Sequence, residues 1–274
     1  MANRAFESTR RIPSGAVPLS AADVACHLPA ARPVLCDLDG CQLAETAPCP
    51  GAIEFLRRFS SRVEVISNNS TETAPALSRR LLSFELGLSP DRMHLAGEAA
   101  VDHVANRFPG ARVALLCNVT LVERAIAAGL RPARTRADVV LLCRYTEGSI
   151  GALQDALDLA IRGVPMVVAN PDRWHPAAGG GRAIETGSLL AVLSSCLPGL
   201  APTVIGKPEP TLFARAMGSE PADQVMMIGD NPLTDLCGAD ALGIPTLLLG
   251  GSSRAAFRDL AGMLAYLDEA PARA

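Results

Sequence analysis

Short apolar runs that end in polar or turn residues alternate along this chain with longer segments whose apolar residues recur at helical spacing. The short runs predict strands at 33–37, 63–66, 113–117, 137–143, 164–170, 225–228 and 245–249. The longer segments predict helices at 50–59, 75–86, 119–129, 150–163, 189–196, 210–217, 234–242 and 255–267. Ser20 also fits the N-cap of a short helix near the start. Because helices separate successive strands, we expect parallel strands and an α/β fold.

The segment 97–185 has a βαβαβ series of its own, with apolar strands that could bury a separate core. We therefore predict two domains. The core domain comprises 1–96 and 186–274, with 1–32 as an N-terminal extension, and an α/β domain is inserted at 97–185. A run of three glycines at 179–181 would give a flexible return to the core.

The first predicted strand ends in two carboxylates, Asp37 and Asp39, which Gly40 follows. Ligands of open α/β sheets bind at the carboxyl ends of the strands. Two carboxylates this close repel each other, so a cation should sit beside them, and Mg²⁺ is a hard cation that takes oxygen ligands. The alternative is a solvated turn without chemistry, since Asp and Gly are common turn residues.

Three further stretches favour the chemical interpretation. The second strand ends at the hydroxyl of Ser67, and another apolar strand is followed by Asp230 and Asp235. Lys207 lies in a loop just before a predicted helix. Together with the carboxylates of the first strand, these groups are sufficient to hold Mg²⁺ and a phosphoryl group at once.

The order of these stretches, Asp-x-Asp-Gly, Ser-Asn-Asn, Gly-Lys-Pro and Gly-Asp-x-x-x-Thr-Asp, resembles the haloacid dehalogenase-like (HAD) hydrolase superfamily. The details are most similar to 4-nitrophenyl-phosphatase-like and pyridoxal-phosphatase-like enzymes, which carry a large α/β cap. The resemblance covers about residues 33 to 251. It implies a Rossmann-like parallel-sheet core with an inserted α/β cap domain at 97–185.

The resemblance also implies roles for the carboxylates. Asp37 would be the nucleophile that forms an aspartyl-phosphate, and a Mg²⁺ ligand. Asp39 would be the general acid and base, and its backbone carbonyl would complete a metal shell that includes Asp230. Asp235 would support the site or hold Lys207; alternatively, it only stabilises the dipole of the helix that it begins.

Phosphate binding falls, by the same resemblance, to the Ser67 hydroxyl, the backbone amide of Asn68 and the Lys207 ammonium. Lys207 would offset the negative charge of the nucleophile and the phosphate. The alternative for Lys207 is a surface lysine in a turn. Family members that act as dehalogenases lack the second Asp, so Asp39 favours a phosphatase.

Substrate choice would belong to the inserted domain. The stretch 168–175 resembles the Asn-Pro-Asp turn by which such caps approach the active site, which makes Asn170 and Asp172 candidate substrate contacts. Trp174 and His175 could stack on a ring or contact a polar leaving group. A tryptophan buried at a domain interface is the alternative.

Composition narrows the class of function further. The chain of 274 residues is 49% apolar and has a net charge of −3, which gives no basic nucleic-acid footprint. It has no apolar run of 18 residues, so we expect no membrane span, and we identify no signal peptide. None of the eight cysteines forms a Cys-x-x-Cys pair, which favours reduced thiols in a cytoplasmic protein.

We therefore predict a Mg²⁺-dependent phosphatase that hydrolyses a small phosphorylated metabolite through an aspartyl-phosphate intermediate. Pyridoxal phosphate, a nucleoside monophosphate, a phosphosugar and phosphoglycolate are candidate substrates. A phosphomutase is an alternative function, because it needs the same pair of Asp residues. A non-catalytic phospholigand-binding protein of the same fold is disfavoured by the presence of both Asp37 and Asp39. The expected partner is the small-molecule substrate, and we expect the protein to bind neither nucleic acid nor membrane. A homodimer is possible.

Overall fold

The structure is a computed structural model that describes residues 16–44, 47–177 and 181–269. These residues divide into two compact units. The core unit comprises 16–67, 74–94 and 210–269, and the cap unit comprises 68–73, 95–177 and 181–209.

The secondary structure alternates between strands and helices. The strands are β1 (Val34–Cys36), β2 (Leu43–Ala44), β3 (Ala47–Pro48), β4 (Val63–Ser67), β5 (Met93–Leu95), β6 (Arg112–Leu116), β7 (Arg131–Pro132), β8 (Val139–Leu142), β9 (Met166–Val168), β10 (Trp174–Ala177), β11 (Gly181–Ile184), β12 (Thr203–Val204), β13 (Met226–Gly229) and β14 (Thr246–Leu248). The α-helices are α1 (Ala21–Ala30), α2 (Ala52–Phe59), α3 (Ala74–Leu82), α4 (Ala96–Arg107), α5 (Val119–Ala127), α6 (Ile150–Ile161), α7 (Thr186–Cys196), α8 (Pro210–Met217), α9 (Cys237–Asp240) and α10 (Leu260–Glu269).

The core unit is built on a five-stranded sheet in the order β14-β13-β1-β4-β5. β1 pairs in parallel with β13 on one side and with β4 on the other, so Leu35 lies opposite both Met227 and Glu64. The chain continues from β1 to β4 and only much later to β13, so the strand order reverses at β1. A reversal of this kind leaves a crevice beyond the carboxyl ends of the strands, where ligands bind.

Burial explains why the central strands are continuous apolar runs. All three residues of β1 are fully buried, as strands covered on both faces require. Phe55 of α2 and Phe213 of α8 are also fully buried within the core unit. Burying a phenylalanine side chain contributes roughly 1.5–3 kcal/mol to folding.

The cap unit has a second five-stranded sheet in the order β12-β9-β8-β6-β7, with parallel pairing throughout. Its hydrophobic cluster joins Leu142 of β8 to Leu159 of α6 and to Leu190 and Leu193 of α7. Residues 186–209, which the sequence-based prediction gives to the core, therefore pack with the cap unit. The domain boundaries themselves stay a prediction.

The predicted start of the first helix is confirmed. The Ser20 hydroxyl accepts the N–H of Asp23 over 3.3 Å, and the Asp23 carboxylate accepts the N–H of Ser20 over 3.0 Å. This reciprocal pair is a capping box, and it satisfies two N–H groups that an uncapped helix leaves without acceptors.

Two predicted helices begin differently from their patterns. α10 begins at Leu260 rather than at 255, because the preceding stretch runs beside the end of β14. Gly250 donates its N–H to the carbonyl of Phe257 over 3.0 Å, and Ala256 donates to Leu248 over 3.3 Å. The pattern at 234–242 begins as a π-helical turn, Pro232–Leu236, before α9.

The helix α4 and the hairpin of β10 and β11 were not predicted, and neither were the short strands β2, β3, β5, β7 and β12. α4 buries mainly alanine and glycine, whose small side chains give a weak apolar period. β10 and β11 form an antiparallel hairpin where a flexible return was expected. Gly181 opens β11, while Gly179 and Gly180 lie outside the described residues.

The predicted fold class is confirmed: the protein is α/β, with a parallel core sheet and a second α/β unit between its segments. Of the helices in the described part of the chain, none combines the length and apolar content needed to cross a membrane.

Candidate active site

Asp37 directly follows β1, at the carboxyl end of the core sheet. Its N–H donates to the carbonyl of Ile228 over 2.9 Å, which fixes the backbone against β13. Its Oδ1 accepts the N–H of Leu38 over 2.7 Å, and its carbonyl accepts Nε2 of the buried Gln42 over 3.3 Å. The Asp37 side chain is therefore largely buried and held in one orientation.

Three carboxylates meet in the core unit. Oxygens of Asp37, Asp230 and Asp235 all lie within 4.8 Å of one another. Asp230 directly follows β13, and Asp235 lies in the π-helical turn after it. Carboxylates this close repel one another strongly when buried, and they are the ligand type that hard divalent cations take. The donor set therefore fits Mg²⁺.

Asp235 is fully buried, and its Oδ2 accepts the N–H of Asn231 over 3.0 Å. A Cβ on Gly229 would lie 2.3 Å from the same oxygen, so only glycine fits at that position. The sequence-based metal set of Asp37, Asp39 and Asp230 placed Asp235 outside the ligands. The structure brings Asp235 close to the other two carboxylates.

Asp39 is in a different environment from Asp37. It is exposed, in a turn where the N–H of Gly40 donates to the carbonyl of Leu43 over 2.9 Å. An exposed carboxylate can exchange protons with water and with a leaving group, whereas a buried one is better suited to bind a metal or attack.

Ser67 closes β4, next to β1 in the sheet, and is almost fully buried. Because parallel strands present their carboxyl ends at one edge, Ser67 and Asp37 lie at the same edge of the core sheet.

Asn68 connects separate segments of the cap unit. Its Nδ2 donates to the carbonyl of Lys207 over 3.0 Å and to Oδ2 of Asp172 over 2.9 Å. Lys207 is 2% exposed, so it is a buried side chain and not the surface lysine of the alternative interpretation.

Asn170 is fully buried, and its side-chain amide forms hydrogen bonds in the same part of the cap unit as Asn68. Its Nδ2 donates to the carbonyl of Asn68 over 2.7 Å and to the hydroxyl of Ser70 over 3.2 Å, while its Oδ1 accepts the N–H of Asp172 over 3.1 Å. These contacts give Asn170 a structural role. Substrate contact by Asn170 or Asp172 stays a prediction.

Trp174 and His175 lie on opposite faces of the β10–β11 hairpin, because successive side chains of a strand alternate. Trp174 is 47% exposed, and the Arg182 guanidinium lies 4.0 Å from its ring centroid. His175 is half-buried, and its Nδ1 lies 2.7 Å from Oε1 of Glu185.

Glu185 and Arg144 are functional candidates that sequence reasoning missed. Nε of Arg144 lies 3.6 Å from Oε1 of Glu185, so both it and His175 approach the same carboxylate. The sequence signal was a glutamate ten residues after the histidine, across a glycine-rich segment. That spacing does not indicate a contact unless the two residues are known to lie in a hairpin.

Two cysteines near the acidic cluster, Cys41 and Cys49, have raised pKa values. Burial raises the pKa of Cys41 well above its ordinary value, and neighbouring Cys36 and Asp230 raise it further. Burial also raises the pKa of Cys49 to about 11. Neither thiol is thus a nucleophile at neutral pH. All eight cysteines lie within the described residues and are thiols rather than halves of disulfides.

Comparison with known proteins identifies the family. Residues 34–131 match the family described as haloacid dehalogenase-like hydrolase, and residues 204–263 match a family described as HAD-hydrolase-like. Haloacid dehalogenase-like hydrolase domain-containing protein 2 from Bos taurus is 31% identical over 248 residues, which cover 87% of this chain and 92% of that protein. The chain belongs to the haloacid dehalogenase-like hydrolases, as its motifs predicted.

Other similar proteins are named as phosphatases. D-glycerol 3-phosphate phosphatase from Mycobacterium tuberculosis is 31% identical over 222 residues, which cover 79% of this chain but 62% of that protein. The structure of a glycerol phosphate phosphatase from the same species in complex with magnesium has a TM-score of 0.73 at 29% identity, over 80% of this chain and 69% of that chain. The p-nitrophenyl phosphatase from Archaeoglobus fulgidus has a TM-score of 0.76 at 25% identity, over 86% of this chain and 98% of that one.

Proposed function

We propose that this protein is a Mg²⁺-dependent phosphatase that hydrolyses a small phosphorylated metabolite through an aspartyl-phosphate at Asp37. One observation carries the proposal: three carboxylates lie within 4.8 Å of one another at the carboxyl end of the core sheet. Membership of the hydrolase family and the phosphatase names of similar proteins support it.

The proposed metal ligands are the carboxylates of Asp37 and Asp230 and the backbone carbonyl of Asp39. A related phosphatase in complex with magnesium supports this metal. When bound, Mg²⁺ would balance the charge of the carboxylates and polarise the phosphoryl oxygens. Asp235 would hold the turn that carries Asp230, since it accepts the N–H of Asn231.

The proposed reaction has two displacements at phosphorus. A carboxylate oxygen of Asp37 forms a bond to phosphorus while the bond to the leaving oxygen breaks, and Asp39 gives its proton to that oxygen. Asp39 then takes a proton from water, whose oxygen attacks the same phosphorus. The second displacement releases inorganic phosphate and restores the Asp37 carboxylate.

Ser67, the backbone N–H of Asn68 and Lys207 are the proposed phosphate-binding groups. Ser67 and Lys207 are 1% and 2% exposed, so both side chains are buried. A phosphoryl group carries the charge opposite to that of the Lys207 ammonium and offers acceptor oxygens to the Ser67 hydroxyl. The hydrogen bond from Asn68 to the Lys207 carbonyl would keep that segment in place.

Substrate selection is proposed for the β10–β11 hairpin. Trp174 and His175 lie on opposite faces, so a leaving group that meets one face contacts only one of them. We propose that His175 is the residue that contacts the leaving group, because Glu185 restrains its ring. Trp174→Ala and His175→Ala distinguish the two, since only one should change the ranking of substrates.

The deciding experiment is a screen of phosphorylated metabolites with Mg²⁺, with free phosphate as the readout. Polyol phosphates, phosphosugars, nucleoside monophosphates, pyridoxal phosphate and phosphoglycolate should be included. Phosphate release from at least one supports the phosphatase. Conversion of a substrate to an isomer without free phosphate would identify a phosphomutase, and saturable binding without turnover would identify a phospholigand-binding protein.

We also propose a cytoplasmic location and a small molecule as the main partner. The eight thiols support a reducing compartment. A homodimer is tested by light scattering of the purified protein.

A further inference from the structure

The β10–β11 hairpin brings together three charged or titratable groups of the cap unit that the proposed catalytic residues do not include. His175 lies opposite Ala183 in the hairpin register, and Glu185 directly follows β11. Nδ1 of His175 lies 2.7 Å from Oε1 of Glu185, which is hydrogen-bond distance. Arg144 approaches the same oxygen from the loop after β8.

Glu185 has little freedom to move. Its Oε2 accepts the N–H of Thr186 over 3.3 Å at the start of α7. Nε of Arg144 donates to the carbonyl of Ile184 over 3.1 Å and lies 3.6 Å from Oε1 of Glu185. The Glu185 side chain is 14% exposed and that of His175 is 36% exposed, so the carboxylate is largely buried while the ring reaches solvent.

The chemistry of the pair fixes the proton on the ring. An ionised Glu185 carboxylate, which the nearby Arg144 guanidinium favours, only accepts hydrogen bonds, so Nδ1 of His175 then carries the proton. In the neutral imidazole, Nε2 is then the acceptor. Burial is the largest influence on Glu185 and raises its pKa above the ordinary value, although Arg144 and His175 act in the opposite direction.

We propose that Glu185 is a positioning residue for substrate selection: it holds His175 with the proton on Nδ1 and makes Nε2 the acceptor for a hydroxyl group of the leaving group. The proposal rests on the phosphatase function proposed above. The preferred substrate class is a phosphomonoester of a polyol or sugar. An aryl phosphate without a hydroxyl group gains nothing from this acceptor.

Three variants test the proposal in the full chain. Glu185→Ala removes the acceptor, Glu185→Gln keeps a neutral acceptor oxygen, and Glu123→Ala removes an exposed carboxylate of α5 elsewhere in the cap unit. The substrates are glycerol 3-phosphate and 4-nitrophenyl phosphate. We expect Glu185→Ala to raise KM for glycerol 3-phosphate by on the order of 10-fold, the value of one hydrogen bond, with kcat nearly unchanged. Glu185→Gln should keep the KM for glycerol 3-phosphate close to the wild-type value.

For 4-nitrophenyl phosphate, kcat and KM should be unchanged in all three variants. Glu123→Ala should also leave kcat and KM for glycerol 3-phosphate unchanged. An equal loss on both substrates, or no loss on glycerol 3-phosphate, would contradict substrate selection by this pair.

A second measurement does not depend on turnover, and its main result comes from the wild-type protein. Nitrogen-15 NMR of the His175 ring, assigned with His175→Gln, reports which nitrogen carries the proton. We expect Nδ1–H at neutral pH in the wild type, and a shift towards Nε2–H in Glu185→Ala. A wild-type ring protonated on Nε2 alone would overturn the positioning role. Absence of phosphatase activity with an Nδ1–H ring would instead contradict the proposed function and its selection step, and leave the positioning contact intact.

Discussion

A Cβ atom on Gly40 would lie 2.1 Å from Oδ2 of Asp230. Gly40 also has φ +85°, a left-handed conformation that glycine adopts without strain. The turn after the first strand therefore leaves space for a carboxylate from a different strand. The glycine of Asp-x-Asp-Gly is thus required by the packing of Asp230 as well as by the turn.

Replacing Gly40 by alanine should displace Asp230 and weaken Mg²⁺ binding. Gly243→Ala is the matched control, because Gly243 has φ +74° but nothing within 4 Å of its Cβ position. Both variants should lose about 1 kcal/mol of stability from backbone strain. Only Gly40→Ala should show a weaker Mg²⁺ affinity by calorimetric titration, and equal affinities in the two variants would argue against the packing relationship.

Removal of divalent cations should abolish phosphate release, because the clustered carboxylates and a phosphate cannot share one site without a cation. Added Mg²⁺ should restore the rate. Ca²⁺ should restore little, since its larger and looser shell misplaces the reacting groups. Phosphate release measured after exhaustive chelation checks this, and an undiminished rate would eliminate the metal.

Asp39→Asn should slow the reaction most with poor leaving groups. The exposed carboxylate of Asp39 is proposed to protonate the leaving oxygen, and loss of general acid–base catalysis costs on the order of 10²-fold or more. An alkyl phosphate should lose more than 4-nitrophenyl phosphate, whose leaving group needs less protonation. Equal losses on the two substrates would mean that Asp39 is not the acid.

The thiols should react with iodoacetamide in an order set by burial and pKa. Cys26 and Cys196 are exposed and should be labelled first at pH 7.5. The pKa of Cys49 is raised to about 11, so its thiolate fraction is small at pH 7.5 and increases as the pH rises towards that value. Mass spectrometry of the labelled peptides provides the order, and early labelling of Cys49 would contradict its burial.

Sequence reasoning could place several residues of the candidate site because they lie at the ends of strands. Asp37, Ser67 and Asp230 each follow or close a short apolar run, and parallel pairing brings those ends to one edge. The order of these motifs along the chain was sufficient to identify the family. The position of Asp235 beside the other carboxylates could not be read from spacing, because it depends on a π-helical turn.

The cap was less predictable because its contacts join residues far apart in sequence. The hydrogen bonds from Asn68 to Asp172 and Lys207 connect segments more than 100 residues apart. The pair of His175 and Glu185 exists only because β10 and β11 form a hairpin. α4 was missed for a different reason, since alanine and glycine at its buried positions do not stand out from their surroundings.

The most direct test of the whole account is the rate of phosphate release by Asp37→Asn with saturating Mg²⁺, on the best substrate of the screen. Circular dichroism should show that the variant folds like the wild type, since the amide has nearly the same size as the carboxylate. We predict that this folded variant releases no phosphate above background, because an amide is a poor nucleophile and a poor metal ligand. Release at the wild-type rate would contradict the assignment of Asp37 as the nucleophile.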